Sequence, residues 1–173
     1  TERGELVFHV KDAANLWGIT NADALRRELC RYAALGHIKR IHRGLYAVKP
    51  ISEIDPYLLG LKVLHGPAYV SCETVLYKHG IIIQPPQIIT LISRASKRFN
   101  VGGRAYSSRK MKDEMLFNDM GITTVDGVRV ASVPRAIADT LYYNPLKYLD
   151  AAGSHLVDWT AVKKIQKEVG FKR

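Results

Sequence analysis

Arg27 and Arg31, four residues apart in the segment ITNADALRRELCRYAALG, are the side chains whose type and spacing most directly suggest chemistry. A guanidinium presents its N–H donors as a planar fork, which matches the paired acceptors of a guanine edge or the oxygens of a phosphate. Ala24 shares their side of a helical wheel, opposite an apolar stripe of Ala22, Leu25, Leu29, Tyr32 and Ala33, with Arg26 at the edge and Thr20 and Asn21 at the helix's positive N-terminus. The next segment, HIKRIHRGLYAV, adds Lys39, Arg40, His42 and Arg43. Together these residues offer non-covalent recognition of a polyanion. An isolated arginine pair on a helix ordinarily does no more than keep it soluble; the basic segment behind it changes that balance.

A second cationic run follows. Arg94, Lys97, Arg98, Arg104, Arg109, Lys110 and Lys112 have no acid among them. Extra DNA backbone contact and docking of an acidic partner surface fit this run equally, beside the plainer reading of a solvated face. Tyr106 within it could stack on a base, though a strand tyrosine packing on its neighbours is the simpler expectation.

Covalent and metal chemistry find little footing. No GxxxxGK[ST] loop, GxGxxG turn or GxSxG elbow is present. The six histidines, His9, His37, His42, His65, His79 and His155, show neither HxxxH nor HExxH spacing, so no metal site, no cofactor and no catalytic residue is expected. Glu73 and Lys78, with Asp55 upstream, faintly resemble a nuclease's carboxylates and lysine, but five residues apart on one helix they would face different ways. A metal-dependent nuclease is therefore the least favoured class.

The elements that must carry the cations can be read from pattern. VKDAANLWG, with Ala13, Ala14, Leu16 and Trp17 apolar, predicts a short helix stopped at Gly18. A second helix starts at a Thr20 or Asn21 cap and runs to Gly36. The alternation of Ile38, Ile41, Leu45 and Ala47 around Arg43-Gly44 predicts a hairpin. Helix, turn, helix and basic hairpin make a winged helix-turn-helix over residues 1–50. Residues 1–8 are too few to supply the helix that usually precedes this unit, so a stub or a trimmed front is expected.

A linker at 49–52 leads into a mixed α/β domain over 51–173. Helices are predicted at 55–64, 71–79 with a Ser71 cap, 132–142 with a Ser132 cap, 144–151 and 158–169. Strands are predicted at 87–93 and 104–108, and at 122–130 folded at Asp126-Gly127. The fold class is α+β.

Composition sets the outer bounds. The chain has 173 residues, 47% of them hydrophobic and 24% charged, which suits one or two globular domains. Its formal charge is +10, distributed as +4 over residues 1–50, −1 over 51–90, +5 over 91–115 and +2 over 116–173. An excess of this size makes a polyanion the first partner to test. No apolar run reaches the roughly 18 residues of a membrane span, and the stretch 80–93 is cut by Pro85 and Pro86. Cys30 and Cys72, distant and outside any CxxC, read as small core residues, and Trp17 and Trp159 as core anchors. With no secretory signal visible in TERGELVFHV, a reducing cytoplasm is the expected location.

The order of these elements resembles a known family. The short helix, the glycine-ended second helix and HRGLYAV look like the N-terminal winged helix of the AbiEi antitoxin family of bacterial transcriptional regulators. The segments YVSCETVLYKHGI and VDGVRVASVPRAIADTL are similar to the two recurrent blocks of that family's second domain. The likeness covers roughly residues 10–142, and it rests on the joint order of blocks rather than on any one. It implies a repressor that autoregulates its operon by binding a double-stranded DNA operator, and the antitoxin of a type IV pair that counteracts a co-encoded nucleotidyltransferase-like toxin. The alternative is a protein-interaction antitoxin or regulator acting through residues 51–173 with only residual DNA binding. No dimerisation seam is readable, so the oligomeric state stays open.

Overall fold

Gly18 sets the first turn of the chain. Helix α1 (Val10–Trp17) stops there because glycine takes the left-handed φ of 63° that a side chain disfavours, and the Ile19 N–H can then return to the Ala14 carbonyl at 2.9 Å. Helix α2 (Ala22–Ala34) begins four residues later, behind an Asn21 cap whose side chain accepts from the Ala24 N–H at 3.0 Å. A three-stranded antiparallel sheet in the order β1 (Val7–His9), β3 (Leu45–Ala47), β2 (Lys39–His42) completes this part. Val10, Ala13, Ala14, Leu25, Leu29 and Tyr46 form its core.

This computed structural model describes residues 7–146 and 155–171, and its architecture is mixed α and β. It divides into two compact units, Thr1–His65 with Val101–Gly103, and Gly66–Asn100 with Arg104–Arg173. The first unit therefore runs past the boundary expected near residue 50. A 3-10 turn (Ile51–Glu53) leads into α3 (Pro56–Leu64), whose start is capped by Asp55, and α3 packs on β1, with the His9 ring nitrogen bonded to the Lys62 carbonyl at 2.6 Å. Val7 and Phe8, within the front read as a stub, form a strand with His9 because β3 offers them a ladder. Three residues are too few for alternation to be visible in sequence.

The second unit holds a six-stranded sheet in the order β6 (Lys97–Val101), β7 (Arg104–Lys110), β5 (Ile88–Ser93), β4 (Ala68–Val70), β9 (Val128–Ala131), β8 (Ile122–Val125). Strands β5 and β7 run parallel, as do β4 and β9, while β4/β5 and β8/β9 are antiparallel. The β8–β9 turn uses Asp126 and Gly127 with φ of 50° and 79°, the two positive values an Asp-Gly hairpin needs. Helices α4 (Glu73–Lys78), α5 (Asp113–Leu116), α6 (Val133–Tyr143) and α7 (Trp159–Val169) are also described, and α6 packs against both α4 and α7.

Several expectations need correction. Ser71 does not cap α4: its hydroxyl is taken by Asp139 at 2.6 Å, and Cys72 starts the helix at φ 54°, ψ −137°. Trp17 and Trp159 are 47% and 42% exposed rather than core anchors, and Cys30 is exposed, its Sγ 3.5 Å from the Tyr46 hydroxyl. Cys72 is buried, and burial together with the Asp139 charge pushes its thiol up to about 12. The expected helix over 144–151 is not seen where it can be tested, since Asn144 ends α6, and its later part lies outside the described residues.

The interior of the second unit is organised by one ion pair. Arg135 and Asp139, one turn apart on α6, are fully buried, and Nε of Arg135 donates to Asp139 at 3.1 Å. The other guanidinium N–H groups reach the carbonyls of Asn118, Met120 and Met115 and the Tyr69 hydroxyl, at 2.9–3.1 Å. Tyr69 in turn donates to Asp139, as does Ser71. Burial pushes the Asp139 carboxyl up, while Arg135 and the Ser71 and Tyr69 hydroxyls favour its charged form. Asp139→Ala should leave the guanidinium buried without its carboxylate and cost about 3–5 kcal/mol, whereas Arg135→Met with Asp139→Leu together should cost less. Urea unfolding measures both, and a single-variant loss below about 1 kcal/mol would show that the pair does not organise this interior.

Candidate nucleic-acid interface

The α2 pattern holds in part: Ala22 and Tyr32, read as members of the apolar stripe, are exposed. Leu25 and Leu29 are buried, while Thr20, Asn21, Arg26, Arg27 and Arg31 are exposed and Ala24 is half-buried. At 100° per residue, Ala24, Arg27 and Arg31 fall on one stripe opposite the buried leucines, and Thr20 lies ahead of the helix, before the Asn21 cap. Two of the arginines are tied down on the helix itself. Arg26 pairs with Asp23 at 3.3 Å, and Arg31 makes two bonds to Glu28, Nε to Oε2 at 3.2 Å and Nη2 to Oε1 at 2.5 Å. The Arg31 hydrogen bonds hold the Glu28 carboxyl below its ordinary range. Among the described residues Arg27 pairs with no carboxylate, so it stands fully available.

The hairpin cations are exposed but do not share one direction. Arg40 is paired with Tyr46, whereas Lys39 is paired with Ala47 and His42 with Leu45. Side chains paired across a ladder share a face, so Arg40 stands on the Tyr46 side, which packs on α1 and α2, and Lys39 and His42 stand on the other. Arg43 sits in the turn. Tyr46 records the convergence of helix and hairpin: burial raises its hydroxyl, with Cys30 of α2 adding to the rise, and Arg40 of β2 and Arg26 of α2 both act against it. On the hairpin, the set expected to hold phosphates therefore divides, with Arg40 on one face and Lys39 and His42 on the other.

The second basic run does not form one surface. Arg109 faces Glu73 of α4, with Nη2 3.0 Å from both carboxylate oxygens, and its guanidinium carbon lies 5.6 Å from the Tyr143 ring centre. Within that run, Arg109 therefore has a structural partner on α4. It also gives Glu73 a structural task; among the described residues no three His, Cys, Asp or Glu side chains gather as a metal site. Tyr106 stacks on Phe99 at 5.1 Å, so it packs on its strand neighbour. Strand alternation puts Lys97, Arg104 and Lys110 on the Phe99/Tyr106 face and Arg98 on the Arg109 face. Lys112, exposed, precedes α5, where Arg94 pairs with Asp113 at 3.0 Å.

A histidine pair in the first unit was not anticipated as a group. His9 and His65 lie with ring centres 3.8 Å apart and their planes tilted by 41°, and His65 Nε2 lies 3.3 Å from Asp12 Oδ1. Sequence gave no signal for it, since 56 positions separate the two rings, and only the packing of α3 on β1 joins them. No protein-family model matches the chain, and no curated protein matches it.

Burial lowers His9 below its ordinary 6.5, helped by the His65 and Lys62 charges and opposed by the Lys62 carbonyl and Asp12. A histidine depressed in the folded state contributes stability that is complete above its unfolded value and is lost as pH falls through the folded one. The first unit should therefore weaken from about pH 6.5 downward, and His9→Gln should flatten that slope. Urea unfolding followed by Trp17 fluorescence in a Trp159→Phe background checks it, and an unchanged slope in the variant counts against it.

Proposed function

We propose that the chain is a sequence-specific DNA-binding repressor whose first unit works as a winged helix-turn-helix. The observation that carries this reading is the exposed pair Arg27 and Arg31 on the side of α2 opposite the buried Leu25 and Leu29, followed along the chain by the exposed cations of the β2–β3 hairpin. Helix α2 enters the major groove, Arg27 and Arg31 reach base edges, and Arg26, Arg40 and Arg43 hold phosphates. The order strand, helix, helix, hairpin, with the hairpin sheet closed by β1, supports it, as does the +10 charge of the chain.

By the resemblance to the AbiEi family, the second unit serves as the antitoxin part, opposing a nucleotidyltransferase-like toxin encoded beside it. The two similar blocks supply Tyr69, Ser71, Arg135 and Asp139, which meet in the buried network, so they support a shared fold rather than a partner-facing surface.

If about six phosphates are neutralised, log affinity against log salt should have a slope near −5. Arg27→Ala should cost about 1–3 kcal/mol on the preferred duplex and relax base preference at one position. Arg40→Ala should weaken all sequences alike and flatten the salt slope by about one unit. Mobility-shift titrations at two salt concentrations, on DNA upstream of the coding sequence and on a scrambled duplex, measure all three. A wild-type chain that binds both duplexes equally overturns the reading.

A further inference from the structure

Arg31 differs from Arg27 in one respect that bears on what it can recognise. Its Nε edge is closed by the two bonds to Glu28, and its guanidinium carbon lies 5.1 Å from the centre of the Tyr32 ring, with His37 against that ring at 6.1 Å. Two of the five guanidinium N–H groups are thereby used, and the pair at the far end, on Nη1 and Nη2, stays open. That end-on pair is the fork that fits guanine O6 and N7.

A phosphate meets Arg31 on different terms. It can approach the open end only by bringing its negative charge beside the Glu28 carboxylate, whereas a base edge is neutral and meets no such repulsion. Glu28 itself is half-buried on the rim of the recognition stripe, close enough for this to matter and tied closely enough to Arg31 that its own oxygens are occupied. Repulsion of the wrong ligand yields discrimination rather than affinity.

We propose that Glu28 is the specificity-determining residue of this face: it positions the Arg31 guanidinium to fork guanine and turns backbone phosphate away from it. The proposal rests on the DNA-binding reading and deepens it by naming the base. Glu28 touches no base; it acts through Arg31.

The test uses the full chain and a duplex taken by selection from a randomised library with the wild-type protein. Binding of wild type, Glu28→Gln and Arg31→Lys is followed by fluorescence anisotropy on that duplex, on one with a single G·C pair changed to A·T, and on a scrambled one. Glu28→Gln should bind the scrambled duplex more tightly with a salt slope steeper by about one unit, as a released arginine takes up a phosphate. Its preference for the selected duplex should fall about tenfold, with the loss concentrated at one guanine. Arg31→Lys, which keeps the charge and loses the fork, should lose the same preference at the same base pair. In an Arg31→Ala background, Glu28→Gln should change nothing further. If Glu28→Gln keeps the wild-type preference, or loses it equally at every position, the proposal is overturned while the DNA-binding reading stands. If wild type selects no duplex from the library, the DNA-binding reading falls and this proposal with it.

Discussion

Arg135 is a cation shut away from water, and much of the second unit is arranged to meet its donors. Three carbonyls from the segment around α5, a strand hydroxyl and the carboxylate one helical turn away each take one or more of its N–H groups. Among the described residues no fully buried side-chain polar atom lacks a partner. Such a pair contributes little net stability compared with a hydrophobic replacement, yet removing either half is costly, so it fixes where α6, β4 and the 115–120 segment must lie. The strained start of α4 belongs to the same arrangement, because Ser71 gives its hydroxyl to Asp139 and leaves the helix to begin on Cys72.

The first unit answers to a different constraint. Its core is small, and one side of α2 must bury Leu25 and Leu29 to complete it. With that side committed, the opposite stripe is free of packing duties. Arg27 and Arg31 stand there beside half-buried Ala24, with Arg26 at the edge, and Arg26 and Arg31 are held by carboxylates of their own helix. Charge on this face is therefore shaped as well as supplied.

Much of this was legible in the sequence where a local rule governs. Gly18 as a stop, Asn21, Asp55, Ser132 and Asp158 at helix starts, and Asp126-Gly127 as a hairpin turn all occur where local chemistry places them. Arg27 and Arg31 were readable as an outward pair because helical period sets them opposite Leu25 and Leu29, whereas Ala22 and Tyr32 carry the same period and are nevertheless exposed. What escaped was non-local. Strands β1 and β4 have three residues each and exist only through their neighbours. Arg109 looks like any other cation in its run until Glu73, 36 positions away, is seen beside it. The boundary moved from 50 to 65 because α3 packs on β1, a contact no composition shift announces. Trp17 and Trp159 were assigned to the core by size alone, and size does not fix exposure.

Lys97 and Arg98 lie on β6, the outermost strand at one end of the six-stranded sheet, while β8 at the other end reads Ile-Thr-Thr-Val with no charge. An outermost strand offers unpaired amides and carbonyls to any extended chain that drifts past. Lysine and arginine there make such an addition electrostatically awkward between identical copies. The two margins of the sheet are thus unequal in how readily they would be lengthened by foreign backbone, and the guarded one carries two members of the cationic run.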